Sequence, residues 1–225
     1  MDAVVKVGGS LAEEPNRLKD LCSKLAEFAK IYKLLVVPGG GLFADAARNV
    51  DRLFNLSSKL SHRMAILGMD QFGMLLSQII PNSCATYLLA DAQQLSEIGV
   101  VPILLVSRFL FREDPLKNSW DVTSDSIAVY VATRLQATRV LLLTDVDGIF
   151  TKDPKKHADA TLIKKLSPEE LMKFNTRTSV DRYLAELLLG TPVDCYVING
   201  KYPERIKAIL AGQNTTCTFI PARNG

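Results

Sequence analysis

The chain has 225 residues, 48% of them hydrophobic and 23% charged, an ordinary globular composition that excludes disordered and collagen-like architectures. Its 27 Lys and Arg against 24 Asp and Glu leave a net charge of only +3, too little for a protein whose main partner is a nucleic-acid backbone or an anionic membrane. Cys22, Cys84, Cys195 and Cys217 are widely separated, with no C-x-x-C pair and no His at ligand spacing, and no apolar segment has the length of a membrane span or the flanks of a signal peptide. The cysteines therefore read as small buried residues of a reducing compartment, and the expected location is the cytoplasm. His62 and His157 read as solvated or structural residues, and no metal cluster is expected from them.

Ala3 to Val7 forms a short strand-like run, Leu18, Leu21, Cys22, Leu25, Phe28 and Ala29 repeat at helical spacing, and Leu34 to Val37 forms a second strand. A helix is expected from Phe43 to Asn49. The alternation returns with a strand at Val101 to Val106, a helix carrying Ile127, Ala128, Val131 and Leu135, and a strand at Val140 to Leu143, apolar runs suited to a parallel sheet covered on both faces. Ser167-Pro168-Glu169-Glu170 has the form of a capping box with Pro at the first helical position, which starts a helix near residue 168. A strand at Val193 to Ile198, a helix near Pro203 to Leu210 and a strand at Thr216 to Ile220 complete an α/β pattern. Met64, Leu67, Met69 and Met74 read as core. Arg108 to Ser119 and Gly148 to Lys165 read as long binding loops or lids. No segment has linker composition, so residues 1–225 are read as one domain, loosely divisible near residue 120.

Four motifs carry chemistry. Lys6-Val7-Gly8-Gly9-Ser10 ends a strand in a cation and two glycines, whose bare amides close on phosphate oxygens while the lysine follows developing charge; a tight connection would use the same glycines. Pro38-Gly39-Gly40-Gly41 repeats the strand-to-glycine theme, and three glycines in a row suggest backbone held near a ligand. Its G-x-G-x-x-A match to a dinucleotide fingerprint follows the second strand and lacks the acidic residue about 20 positions on that such a site needs. Asp121-Val122-Thr123-Ser124-Asp125-Ser126 opens a helix: Thr123 or Ser124 suffices as a cap, and the carboxylates are also suited to orienting lysines around phosphates. Thr144-Asp145-Val146-Asp147-Gly148-Ile149-Phe150-Thr151-Lys152-Asp153-Pro154 follows a buried strand at the end where open α/β sheets bind ligands.

In this order and over nearly the whole chain, these motifs resemble the amino-acid kinase superfamily. The resemblance implies a three-layer αβα sandwich on a mainly parallel central sheet, with an acceptor-binding part in residues 1–120 and a nucleotide-binding part in 121–225. It implies ATP as phosphoryl donor with Mg²⁺ bridging its phosphate oxygens, a small phosphorylated acceptor, and a homo-oligomer. Carried over by motif, Lys6 stabilises the transferring phosphoryl group and Asp125 organises the cations. Gly8, Gly9 and Ser10 hold ATP phosphates, and Thr144, Asp145, Asp147, Phe150, Lys152, Asp153 and Pro154 form the nucleotide loop.

The chain departs from many relatives at Thr178-Ser179-Val180-Asp181-Arg182-Tyr183, where a Gly-Gly-Met segment and a second phosphate-binding lysine are usual; Arg182 and Lys152 are the candidates for that cation. Val37 to Gly41 with Phe43-Ala44-Asp45, His62 to Gln71, and Ser119 to Ser126 most resemble the methanofuran-biosynthesis branch, which phosphorylates (5-(aminomethyl)furan-3-yl)methyl phosphate to the diphosphate. On that resemblance Gly39, Gly40 and Gly41 line the acceptor site, Asp45, Asp70 and Asp121 are candidates for an ammonium, and Arg48 and Arg63 for a phosphate. Uridylate and isopentenyl phosphate kinases, and a non-catalytic nucleotide-binding protein, are the alternatives.

Overall fold

The computed structural model describes residues 1–174 and 178–222. Strands β1 (Ala3–Val7), β2 (Leu34–Pro38), β3 (Ser83–Thr86), β4 (Val101–Leu104), β5 (Arg139–Thr144), β6 (Asp194–Asn199) and β7 (Thr218–Ile220) form one sheet in the order β3-β4-β2-β1-β5-β6-β7. Every pairing is parallel except β6 with β7. The helices are α1 (Pro15–Ala29), α2 (Gly41–Phe54), α3 (Ser58–Ile79), α4 (Leu89–Glu97), α5 (Ser107–Glu113), α6 (Ser124–Arg134), α7 (Pro168–Met172), α8 (Leu184–Leu189) and α9 (Pro203–Leu210).

The strands are continuous apolar runs because both faces are covered, and the period-2 geometry of a strand divides them between two cores. Val4, Leu35, Val37, Val140 and Leu142 face α6 and α8, whereas Ala3, Val5, Leu34, Val36, Leu141 and Leu143 face α1 and α9. This is the expected αβα sandwich. Chain order places the site: β2, β4 and β3 build outward on one side of β1, and β5 returns to its other side. The carboxyl ends of β2, β1 and β5 therefore meet at a switch in direction, where crossovers diverge and leave a crevice. Lys6 has the parity of Val4, which turns it toward α6.

Local chemistry starts the helices as read. Thr123 caps α6, and Ser167 and Glu170 form the reciprocal capping box of α7. Other expectations are corrected. Val101 to Val106 is shorter as a strand, because Val106 already has helical backbone angles as the residue that leads into α5, and the first part of Arg108 to Ser119 is helical, in α5. Of the residues read as core, Met69 is buried but Leu67 and Met74 are 47% and 60% exposed, because they lie on the outer face of α3. Cys84 is exposed on the edge strand β3 and Cys217 half-buried, while burial pushes the Cys22 thiol up to about 12.

Candidate active site

The parity of β1 aims Lys6 at the first turn of α6, where its ammonium lies 2.6 Å from Asp125 Oδ1; both side chains are under a tenth exposed. A buried charge is tolerated only with a partner, so neither residue is an ordinary surface lysine or cap. The cap itself is Thr123, reinforced by a residue that sequence reasoning passed over. Asp181 Oδ2 accepts from the Thr123 amide (2.8 Å), the Thr123 hydroxyl (2.9 Å) and the Ser126 amide (3.0 Å). Its Oδ1 accepts from the Ser126 hydroxyl (2.6 Å) and the Leu184 amide (2.9 Å). The Asp181 amide in turn donates to Asp125 Oδ2 (3.2 Å). Burial, and then the negative charge of Asp125, hold the Asp181 carboxyl above the usual carboxylate range. In the stretch Thr178 to Tyr183 the acid and not a cation meets α6, and 55 or more residues of separation from its partners on that helix hide it in the sequence.

The glycine loops have a reason for their glycines besides any ligand. A Cβ on Gly9 would lie 2.2 Å from the Gly41 backbone, and Gly41 has φ +52°. The two loops are thus in backbone contact across the switch point, with the Gly8 amide bonded to the Leu143 carbonyl (2.9 Å) and the Gly39 amide to the Val7 carbonyl (2.8 Å). The Lys6 ammonium lies against this turn, 3.6 Å from where a Gly8 Cβ would sit.

Between the loops and helices α2, α3 and α6 lies a cavity of about 220 Å³, lined by Gly9, Ser10, Gly40, Gly41, Ala44, Asp45, Arg48, His62, Trp120 and Thr123 among others. Arg48 Nη1 is 2.5 Å from Asp45 Oδ1, and its guanidinium stacks over the Trp120 ring at 4.6 Å. His62 was not among the candidates; burial lowers its pKa against the pull of the Ser119 backbone and of Asp114, so a neutral imidazole faces the cavity.

Four acceptor candidates, Gly39, Arg63, Asp70 and Asp121, do not line this cavity. Asp70 is buried and accepts from the Ser107 amide (3.2 Å) and hydroxyl, which makes it the cap of α5, and burial raises its pKa. Arg63 stacks on Phe111 at 5.1 Å and lines none of the cavities described. Gly39 supports the loop from below, with a Cβ position 2.7 Å from the Gly9 amide nitrogen.

A second cavity, about 640 Å³, adjoins the first through Arg48, Trp120 and Thr123; Arg52, Asp121, Asp125, Ser179, Asp181 and Arg182 also line it. Beyond β5, Thr144 donates to Asp145 (3.3 Å), and Lys155 forms an ion pair with Asp145. Burial disfavours the Asp145 carboxylate, but the Lys155 contact prevails and lowers its pKa. Asp147 is held by Arg205 (2.6 Å) and Asn199 (3.1 Å). Phe150 bridges to Leu162, and Asp153 accepts from the Lys155 amide (3.0 Å) in the turn after Pro154. Lys152 points away, paired with Asp159 at 2.5 Å. Lys155, three residues further on, reaches the strand end instead, a choice made by loop geometry and invisible in spacing.

Among the described residues no three His, Cys, Asp or Glu side chains group as a metal site. Asp125, Asp145 and Asp147 each already face a cation, so a magnesium ion here fits as one carried by nucleotide phosphates and water. Buried Lys6, glycine loops without side chains and the Arg48 guanidinium beside a small cavity suit phosphoryl transfer, which needs positioning and charge stabilisation more than covalent chemistry.

Known proteins agree with that arrangement. The model of the Amino acid kinase family matches residues 1–185. The chain is 35% identical to the (5-(aminomethyl)furan-3-yl)methyl phosphate kinase of Methanocaldococcus jannaschii over 96% of each chain, and 26% identical to the uridylate kinase of Archaeoglobus fulgidus over 95% of this chain and 97% of that one. The crystal structure of uridylate kinase from Archaeoglobus fulgidus superposes with a TM-score of 0.77 at 25% identity, covering 98% of this chain and 100% of that chain. With the family's pattern running through the sheet, both glycine loops and the start of α6, the chain is a phosphotransferase that belongs to the amino acid kinase family.

Proposed function

We propose that the chain transfers the γ-phosphoryl group of ATP to the phosphate of (5-(aminomethyl)furan-3-yl)methyl phosphate, giving the diphosphate in methanofuran biosynthesis. One observation carries the choice of acceptor: the cavity between the glycine loops measures about 220 Å³ and has the Arg48–Asp45 ion pair in its wall. That volume suits a single small ring. An acceptor with a phosphate at one end and an ammonium at the other exchanges with the ion pair charge for charge, phosphate to Arg48 and ammonium to Asp45. The relative that shares 35% identity over 96% of the chain is named for that acceptor.

Residues 1–120 form the acceptor part, with Gly40, Gly41, Asp45 and Arg48 at its cavity, and residues 121–225 the nucleotide part, with Thr144, Asp145, Asp147, Phe150, Asp153 and Pro154 along it. Gly8, Gly9 and Ser10 lie between the two, with Gly9 and Ser10 giving their amides to the transferring phosphate and Gly8, its amide bonded to the Leu143 carbonyl, holding the turn on which it rests. Lys6 stabilises charge developing on the γ-phosphoryl oxygens as an acceptor phosphate oxygen attacks in line and ADP leaves. Asp125 holds Lys6 in place. Arg182, in the larger cavity, is the cation we assign to the place of the family's second lysine. Magnesium supplies charge neutralisation on the ATP phosphates. A cytoplasmic location is in keeping with the ATP requirement; no helix among the described residues is long and apolar enough to cross a membrane.

The test is kcat/KM for ADP release across phosphorylated acceptors. An acceptor lacking the amine leaves a carboxylate without its partner, a loss of about 1–3 kcal/mol, so the aminomethylfuran phosphate is expected to exceed its deaminated analogue roughly 10- to 100-fold. UMP as the best substrate, or equal rates without the amine, overturns the acceptor assignment and leaves the kinase.

We also propose a homo-oligomer. Leu60, Leu67 and Met74 recur every seven residues along α3 and are 47%, 47% and 60% exposed. An antiparallel twofold crossing sets Leu60 against Met74 and Leu67 against its own copy, a self-complementary stripe. Light scattering should give a multiple of 24.8 kDa, and Leu67→Glu should shift it toward the monomer; a monomeric wild type refutes the interface.

A further inference from the structure

Trp120 is the sole tryptophan of the chain, and it stands where the two cavities meet. Its indole N–H donates to Asp51 Oδ2 (2.7 Å), and the Arg48 guanidinium lies 4.6 Å above its ring. Asp45, Arg48 and Asp51 are spaced three apart on α2 and so share one helix face. Arg48 is thereby held on two sides, by Asp45 at its edge and by the indole across its plane, while Asp51 stops the indole from turning. Among the described residues only Arg48, Trp120 and Thr123 line both cavities. The segment that carries Trp120 runs directly into the start of α6, five residues from Asp125, which links this grip to the Lys6 pair by a short stretch of backbone.

We propose that Trp120 is a positioning residue for the acceptor: it holds the Arg48 guanidinium flat at the junction of the cavities, so that a phosphomonoester takes the guanidinium edge from Asp45 and presents an oxygen toward the nucleotide side. Arginine suits this task because its plane stacks on an aromatic ring while its edge still offers paired N–H donors to phosphate. The proposal rests on the acceptor reading above and deepens it, adding what fixes the geometry of the phosphate.

The test combines kinetics with tryptophan emission. Trp120→Leu should raise the acceptor KM about 10-fold, in the range of a stacked cation–aromatic contact, with the ATP KM nearly unchanged. Trp120→Phe keeps a ring and should recover most of that loss. In the wild type, emission should change on adding aminomethylfuran phosphate without ATP, saturating near its KM, and that response should be lost in Arg48→Met while ADP still protects the variant against heat. Equal rises in both KM values, no recovery with Phe, or emission blind to every phosphorylated acceptor overturns the positioning role. Should Trp120→Leu fail to fold, the Phe variant and the wild-type emission still decide. Absence of ATP turnover with any acceptor would instead refute the proposed function, so the two failures are distinct.

Discussion

Asp181→Asn removes one charge and alters almost no volume, yet the geometry predicts a large effect. Three donors converge on Oδ2 and two on Oδ1. An amide keeps only one acceptor oxygen. Its best orientation leaves the carbonyl on the three-donor side and turns the NH₂ group toward the Ser126 hydroxyl and the Leu184 amide. The hydroxyl rotates to accept, but the Leu184 N–H cannot, and an orphaned buried donor costs about 1–3 kcal/mol. The remaining bonds lose their charge assistance, which adds roughly 1 kcal/mol after allowance for the relief of repulsion with Asp125. The expected loss is therefore about 2–4 kcal/mol, a third or so of a typical domain's stability of roughly 5–15 kcal/mol. At about 2–4 °C per kcal/mol for a chain of this size, Tm should fall by roughly 5–15 °C. Because the Asp181 side chain also fixes the backbone whose N–H donates to Asp125, loosening it should lower kcat as well. Asp121→Asn is the control: that carboxylate is exposed and takes only a 3.3 Å bond from Ser119, so its effect should stay within about 0.5 kcal/mol. A thermal melt followed by circular dichroism decides, and Asp181→Asn melting with Asp121→Asn would refute the claim that Asp181 anchors α6.

Three further outcomes are expected. Lys6→Ala, made with Asp125→Asn so that no buried carboxylate is left bare, should lower kcat about 10²- to 10³-fold with ADP affinity little changed; near wild-type turnover would make Lys6 a structural residue. Gly9→Ala drives a methyl to 2.2 Å from the Gly41 backbone and should cost about 1–3 kcal/mol together with activity, whereas Gly190→Ala, whose nearest neighbour is at 3.8 Å, should be neutral in both; similar melts for the two would refute the loop contact. His62, with its folded pKa lowered, binds a proton less readily than in the unfolded chain, so stability should decline as pH falls below about 6.5, and His62→Gln should flatten that decline in denaturant midpoints measured across pH.

The sheet and its helices were legible because a strand buried on both faces must be a continuous apolar run and a helix beside it must repeat its apolar residues every three or four positions. Those are local constraints, and β1, β2, β5, β6, α1, α6 and α9 follow from them. The segment from Ser58 to Glu97 was less legible: α3 turns Leu67 and Met74 to its outer face, and β3 is a half-exposed edge strand, so apolar pattern and burial part company there. Glycine loops at strand ends could be read because the motifs are short and local, and the family resemblance linked Lys6 to Asp125 at the start of α6. Which acid caps which helix could not be read. Asp70 serves α5 and Asp181 serves α6 across long separations, and Lys155 instead of Lys152 reaches Asp145. A carboxylate or ammonium looks the same in sequence whether it meets solvent, a ligand or a distant amide, and the desolvation that separates those roles exists only once the sheet has brought the ends of β2, β1 and β5 together.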